Sequence, residues 1–209
     1  MAPYRDRAGK TLTDYPRPSV AVDTAVLTVS EDRLAVVLVD QEGEARLPGT
    51  FLHEGETLHD AVLRSLREKA EIEGLRPRQL RVFDAPGRDD RGWVLSVAHM
   101  DTVPAERLPH ALLCPLDTLP ELRYDHTDIV DAAVEALRAE YRRAPDPSGL
   151  LEGPFTLRRL RTVHGVVQGE RLLPDSFRRA MLPMLTPTGE TWSEGRGRPA
   201  ELYVRAERR

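Results

Sequence analysis

The sequence predicts a mixed α and β fold in two parts, the second a winged helix-turn-helix. Three observations predict it. Over residues 15–145, β-branched and apolar runs are interleaved with two amphipathic helical stretches. A connection rich in Pro and Gly, APDPSGLLEG, follows at 144–153. Two short helical stretches with a tight turn then precede two strand-like runs that bracket an Arg-Gly segment. A length of 209 residues is long for one small domain and suits two modest ones.

Composition narrows the class. With 40% apolar and 31% charged residues and a mean hydropathy of −0.43, a soluble globular protein is expected. No apolar run approaches a membrane span, and the first twenty residues lack the apolar core of a signal peptide. A cytoplasmic protein without membrane association is therefore expected. The lone Cys114 cannot form an internal disulfide, fits a reducing compartment and reads as a small buried hydrophobe. Lys10 and Lys69 are the only lysines, an Arg preference best explained by coding bias. Charge is split unevenly: residues 1–150 carry 19 Lys/Arg against 27 Asp/Glu, a net of −8, whereas 151–209 carry 11 against 7, a net of +4. A polyanion partner would meet the C-terminal part.

The elements follow in order. Residues 1–14 are polar and read as a flexible N-terminus. SVAVDTAVLTV at 19–29 is β-branched and alternating, Ser30-Glu31-Asp32 is a turn, and Leu34–Val39 is a buried apolar strand. Residues 57–70 form an amphipathic helix, with Thr57 as N-cap, Asp60 as an imperfect capping-box partner, and Leu58, Ala61, Val62, Ser65, Leu66 and Lys69 at helical spacing. Gln79–Phe83 and Gly92–Thr102 are strands joined by DAPGRDDRG. Residues 104–122, rich in Pro and Leu, support no assignment. Asp125–Arg143 is a helix whose apolar face is Ile129, Val130, Ala133, Val134 and Leu137.

Beyond the connection, Thr156 caps a helix that buries Leu157, Leu160, Val163, His164 and Val167 and ends at Gly169. A second helix begins near Asp175, with Phe177, Ala180 and Met181 on one side and Asp175, Arg178 and Arg179 on the other. LTPTGETW and PAELYVRA are strand-like and bracket EGRGRP at 194–199. In that segment Gly lets the backbone approach a minor-groove floor, and Arg196 and Arg198 meet its negative potential. A flexible hairpin tip is the bland alternative, outweighed here by the neighbouring helix pair and the basic balance. DNA contacts are expected from Ser176, Arg178 and Arg179 on the second helix, from Arg196 and Arg198 in the wing, and from Arg158 on the first. Arg reads guanine or holds phosphate equally well, and sequence does not distinguish the two.

Residues 47–75, LPGTFLHEGETLHDAVLRSLREKAEIEGL, carry an LPG-x-F-x-x-x-G-E run directly before the first helix. The run resembles the loop and helix of Nudix hydrolases, whose signature reads Gly, five residues, Glu, seven residues, Arg-Glu-apolar-x-Glu-Glu-x-Gly-apolar. Laid on this chain, the first Gly falls on Thr50 beside Gly49, the first Glu on Glu56 and the Arg on Arg64. The next Glu falls on Ser65, the Glu pair on Glu68-Lys69 and the last Gly on Glu71. Magnesium takes several hard oxygen ligands and activates water in pyrophosphate hydrolysis. One carboxylate, one hydroxyl and one ammonium do not provide that. No metal, no cofactor and no catalytic residue is therefore expected: the chain is read as binding rather than cutting.

With YPRPSVAVD at 15–23, PGRDDRG at 86–92, DHTDIV at 125–130, FTLRRLRTVHGVVQG, SFRRAML and GRGRPAELY, the chain resembles the Nudix-related transcriptional regulators of NrtR type. The resemblance implies an α+β fold with a Nudix-like α/β/α sandwich at 15–145, a linker at 146–153 and a winged helix-turn-helix at 154–209. It also implies a homodimer on a palindromic operator, repression of genes often concerned with NAD metabolism, and an ADP-ribose-like effector. Gly87, Arg88, Asp89 and Arg91 match the family's ligand-facing loop, and Glu56 and Arg64 line the same cleft or brace its loop as an ion pair. Relatives carry a longer, basic, Trp-containing stretch before the LPG, where this chain has QEGEAR at 41–46. A ligand contact from that stretch is expected to be missing, so ADP-ribose, another nucleotide and no ligand all stay open. His53, His59, His99, His110, His126 and His164 show no metal spacing. Two other functions stand beside the regulator: a divergent Nudix pyrophosphohydrolase using displaced carboxylates such as Glu54, Glu71 or Glu73, and a winged helix that binds protein.

Overall fold

The computed structural model describes residues 4–193 and 199–206, so Arg196 and Arg198 lie outside the described residues. The N-terminal part is built on β1 (Ser19–Ser30), the long strand read from SVAVDTAVLTV. It pairs antiparallel with β2 (Arg33–Gln41), which carries β3 (Glu44–Arg46) on its far edge. The LPG loop contributes the short β4 (Gly49–Phe51), antiparallel to the first half of β1. After α1 (Leu58–Ala70), β5 (Arg78–Phe83) pairs antiparallel with β6 (Val94–Thr102), and β6 runs parallel to β1 from Ser19↔Val94 to Leu27↔Thr102. The unassigned stretch 104–122 resolves into 3-10 turns around β7 (Leu112–Pro115), which extends β2.

The central parallel pair is covered on both faces, so residues 21–28 of β1 are buried without a break, where the alternating sequence suggested one covered face. One face packs Val22, Val26 and Val37 against Ala61, Val62 and Leu66 of α1. The other packs Ala25, Leu27, Val36 and Met100 against Ile129, Val130, Ala133 and Leu137 of α2 (His126–Tyr141). The expected α/β/α sandwich is present. Thr57 caps α1 as expected, and the capping box is complete: Thr57 Oγ1 accepts from the Asp60 amide while the Asp60 carboxylate accepts from the Thr57 amide. Glu71, where the Nudix signature has Gly, closes α1 at φ 56° in the left-handed region. That conformation costs a residue with a Cβ about 1–2 kcal/mol, which accounts for glycine in the signature.

The C-terminal part opens with β8 (Phe155–Thr156) and α3 (Leu157–Gln168), whose Thr156 cap and left-handed Gly169 are as read from sequence. Then come α4 (Pro174–Met181), β9 (Leu185–Trp192) and β10 (Ala200–Arg205), with sheet order β8-β10-β9. Two details differ from expectation. Leu157 is only half-buried, and Ala180 is exposed while Phe177 and Met181 carry the buried face of α4. An eight-residue helix buries a narrow stripe, and the fourth-residue step from Phe177 lands on Met181.

The two parts share one core. Leu137 and Tyr141 of α2 continue the apolar cluster into Leu160, Val163, Val167, Phe177 and Tyr203. The connection is packed as well: Pro145, Asp146, Leu150 and Leu151 are buried. Among the described residues no helix is long and apolar enough to cross a membrane.

Candidate functional site

A cleft of about 250 Å³ opens where β1, β3, β4, α1, the β5–β6 loop and the start of α2 meet. Its floor is Asp23, only 6% exposed, whose carboxylate accepts from Ser96 Oγ at 2.6 Å and from His126 Nε2 at 3.3 Å, with Arg88 at 3.6 Å. Burial pushes the Asp23 carboxyl up, but the His126 and Ser96 hydrogen bonds and the Arg88 charge outweigh it and hold the group below the usual carboxylate range. His126 Nδ1 accepts from the Leu47 amide at 3.0 Å, which assigns the ring proton to Nε2 and points it at Asp23. Gly49 lies against this floor: a Cβ there would sit 1.9 Å from Asp23 Oδ1, so only glycine fits.

The walls are cationic and aromatic. Arg46, Lys69, Arg88 and Arg91 line the cleft together with Phe51 and Tyr124. The Arg91 guanidinium lies 5.0 Å from the Phe51 ring centre and 4.8 Å from that of Tyr124, and its two ends are held by Asp89 at 2.9 and 2.7 Å. Arg88 is almost fully buried and grips Asp125 at 2.8 and 2.5 Å. Arg46 lies 5.6 Å from the Tyr124 ring centre, and its buried Nε has no hydrogen-bond partner among the described residues. A larger cavity, about 710 Å³, lies between the β1–β2 turn, α3 and the root of the wing. There Asp32, Glu106 and Glu152 outnumber Arg158 and Arg159, so the smaller cleft is the one with a surplus of positive side chains.

Of the ligand residues read from sequence, Arg88, Asp89 and Arg91 reach the cleft, and Gly87 sits at the exposed loop tip away from its lining. Glu56 and Arg64 bind each other instead: Arg64 donates to both Glu56 oxygens at 2.8 and 2.9 Å, and to Thr50 Oγ1 and the Phe51 carbonyl. Glu56 also accepts from the His53 amide, and with Arg64 beside it the carboxyl is held at about 2. The pair braces the loop over α1 and does not line the cavity, which is the bracing alternative. From the short QEGEAR segment, Gln41 and Arg46 line the cleft. Asp23, Arg46, Phe51, Lys69, Tyr124 and His126 were not singled out as ligand residues, although Asp23 and His126 lie inside the segments YPRPSVAVD and DHTDIV.

The signature positions do not fit a magnesium site. Glu56 is spent on Arg64, Ser65 is buried, Glu68 sits between Arg64 and Arg67 at 4.0 and 3.5 Å, and the Lys69 ammonium donates to the Gly49 carbonyl.

On the C-terminal part Ser176, Arg178 and Arg179 are exposed together on α4. Arg158 is exposed on α3 but lines the large interdomain groove, where no α4 residue appears. Arg159 reaches back to Asp32 at 2.9 Å. The structure therefore groups the α4 residues and leaves Arg158 apart from them. Between cleft and α4 runs α2. His126 stands in the cleft at its first turn and Asp125, the residue before it, holds the cleft-lining Arg88, while near its last turn Arg138 donates to the Val167 carbonyl and Tyr141 to the fully buried Asp146. Asp146 also accepts from the Leu150 and Leu151 amides at 2.9 Å and from Arg205, and its own amide donates to His164 Nε2.

Residues 147–204 match the family model described as the NrtR DNA-binding winged helix domain. The chain is 28% identical to the "ADPR responsive transcriptional repressor NtrR" of Acinetobacter baylyi, an alignment covering 91% of this chain and 83% of that protein. Over 56% of this chain and 73% of the relative it is 32% identical to the ADP-ribose pyrophosphatase of Methanocaldococcus jannaschii. Among solved structures, Shewanella oneidensis NrtR complexed with a 27mer DNA superposes with a TM-score of 0.75 at 31% identity, over 89% of this chain and 93% of that one.

Proposed function

Because the chain belongs to the Nudix-related transcriptional regulators of NrtR type, we propose that it is a DNA-binding repressor whose Nudix-like domain binds ADP-ribose or a close nucleoside diphosphate. It works in the cytoplasm as a homodimer on a two-fold operator, and it does not hydrolyse its ligand. The observation that carries this reading is α2, a single helix whose first turn puts His126 in the cationic cleft and whose last turns are tied to the connection through Tyr141 and to α3 through Arg138. A ligand that repositions Asp125 through Arg88 acts on the same rigid body that seats α3. In the cleft, the cations meet the diphosphate and the aromatic–guanidinium stack accepts a base or sugar face. At the other end Ser176, Arg178 and Arg179 of α4 enter the major groove, with Arg196 and Arg198 in the minor groove. The domain boundaries we adopt are 15–145, 146–153 and 154–209.

The similarity to an ADP-ribose pyrophosphatase favours one other reading, hydrolysis. Against it stand Ser65 and Lys69 where that chemistry needs carboxylates. A gel shift on the DNA upstream of the chain's own gene, titrated with ADP-ribose near physiological salt, tests the regulator. A retarded band whose midpoint moves with ADP-ribose is the expected result, and no retardation would overturn it. Magnesium-dependent release of AMP from ADP-ribose would establish the hydrolase instead.

A further inference from the structure

Lys69 stands where the signature places the second glutamate of its pair. Its side chain leaves α1, enters the cleft and donates to the Gly49 carbonyl, and it makes no ion pair within 4.0 Å among the described residues. A carbonyl oxygen at the mouth of a carboxylate-floored cleft is a ligand that a hard divalent cation would take. Here an ammonium already holds it. The remaining charges are committed unequally. Arg88 is neutralised by Asp125, and Arg91 by Asp89. Arg46 is held by Glu44 just outside the cleft, which leaves Lys69 as the lining cation with no carboxylate partner within 4.0 Å among the described residues. A divalent cation entering would face Lys69 together with the guanidiniums of Arg46, Arg88 and Arg91, whereas a doubly charged anion would meet the ammonium of Lys69, which no carboxylate neutralises directly.

We propose that Lys69 replaces the divalent cation of the hydrolases as a built-in counter-ion, so that the diphosphate of the effector is bound without metal. The inference rests on the reading of this cleft as a nucleoside-diphosphate site. It assigns to one covalently attached charge both the loss of hydrolysis and the retention of binding: an ammonium neutralises diphosphate oxygens but holds no water to activate. Binding then becomes insensitive to the free magnesium concentration.

The test is calorimetric titration of the full chain with ADP-ribose in excess EDTA and again in excess magnesium, for the native chain, Lys69→Met and Lys69→Arg. Equal affinity of the native chain in both conditions is expected. Lys69→Met should bind roughly 10–100-fold more weakly, the cost of one charge-assisted contact, and Lys69→Arg should stay within a few-fold of native. Lys69→Met binding as tightly as native, or native binding that collapses in EDTA, overturns the role of Lys69 while leaving the cleft an effector site. A native chain that binds no ADP-ribose in either condition overturns the effector reading itself. Thermal melts check that each variant is folded. Should Lys69→Met fail that check, the EDTA comparison for the native chain and Lys69→Arg decides alone.

Discussion

Two buried carboxylates, Asp23 and Asp146, sit at opposite ends of α2 and are used in opposite ways. Asp146 is fully buried and saturated: Tyr141 hydroxyl, two backbone amides and Arg205 all donate to it, and it holds φ 44° in the left-handed region to reach them. Asp23 accepts from Ser96 and His126 alone, lies under an open cleft, and is ringed by more positive charge than it can neutralise. The closed cluster leaves no valence for a ligand and serves to weld α2, the connection, α3 and β10 together. The open one keeps donors in reserve. Of these two buried carboxylates, then, the saturated one marks the joint and the one under surplus positive charge marks the proposed binding site.

The largest effect that would break this contrast is at the joint. Asp146→Ala leaves Arg205 and two amides without their acceptor and should cost about 3–5 kcal/mol in denaturant unfolding. A loss below about 1 kcal/mol would show that the cluster is not a structural weld. The same joint predicts an acid dependence. His164 Nε2 accepts from the Asp146 amide, so its protonation breaks that bond, and burial lowers the His164 pKa to about 4. An imidazole whose folded pKa lies below its unfolded value of ~6.5 favours the native state fully above pH ~6.5. That contribution is lost as pH falls toward 4. Stability should drop by roughly 3 kcal/mol across the window, and a His164→Gln chain should show a shallower slope.

In the cleft the balance shifts, with binding affected and stability lowered less than at the joint. Arg91→Ala should weaken ADP-ribose binding about tenfold, roughly one stacked and charge-assisted contact. Its unfolding free energy should fall by only about 1–2 kcal/mol, the cost of leaving the buried Asp89 without its half-exposed partner. An unfolding loss as large as that of Asp146→Ala would erase the distinction. The smallest expected effect lies on α4. Replacing Arg178 by Ala should lower the slope of log affinity against log salt by about 1 if it holds phosphate. An unchanged slope with altered base preference would make it a base reader instead.

Much of the scaffold was legible because it depends on local chemistry. The Thr57–Asp60 box, the Thr156 cap, the left-handed Gly169 and the apolar face of α2 are each set by residues within one or two turns of one another. The loop and helix at 47–75 likewise betrayed a changed active site, because the replacement of the second glutamate of the pair by Lys69 is visible in one line of sequence. Cleft membership was not legible to the same degree. Asp23, Arg46, Phe51, Lys69, Arg91 and Tyr124 come from six separate stretches, and nothing local says that Arg91 stacks while Arg88, three residues earlier, is buried on Asp125. Asp146 lay in a segment whose Pro and Gly mark a connection, and its burial arises from Tyr141, Leu150, Leu151 and Arg205 arriving together.

The sequence by itself determined the order of elements, the two-part organisation and the exchange of a carboxylate for an ammonium at position 69, since periodicity, capping and side-chain charge are properties of short stretches. Only the tertiary structure decided which charges neutralise one another. Glu56 and Arg64 became a brace, Arg88 became part of the floor, Arg46 was taken up by Glu44, and Lys69 was left without a carboxylate partner among the described residues. The physical reason is that electrostatic pairing depends on distance and burial, and those are fixed only once the β1–β6 sheet and α2 have packed.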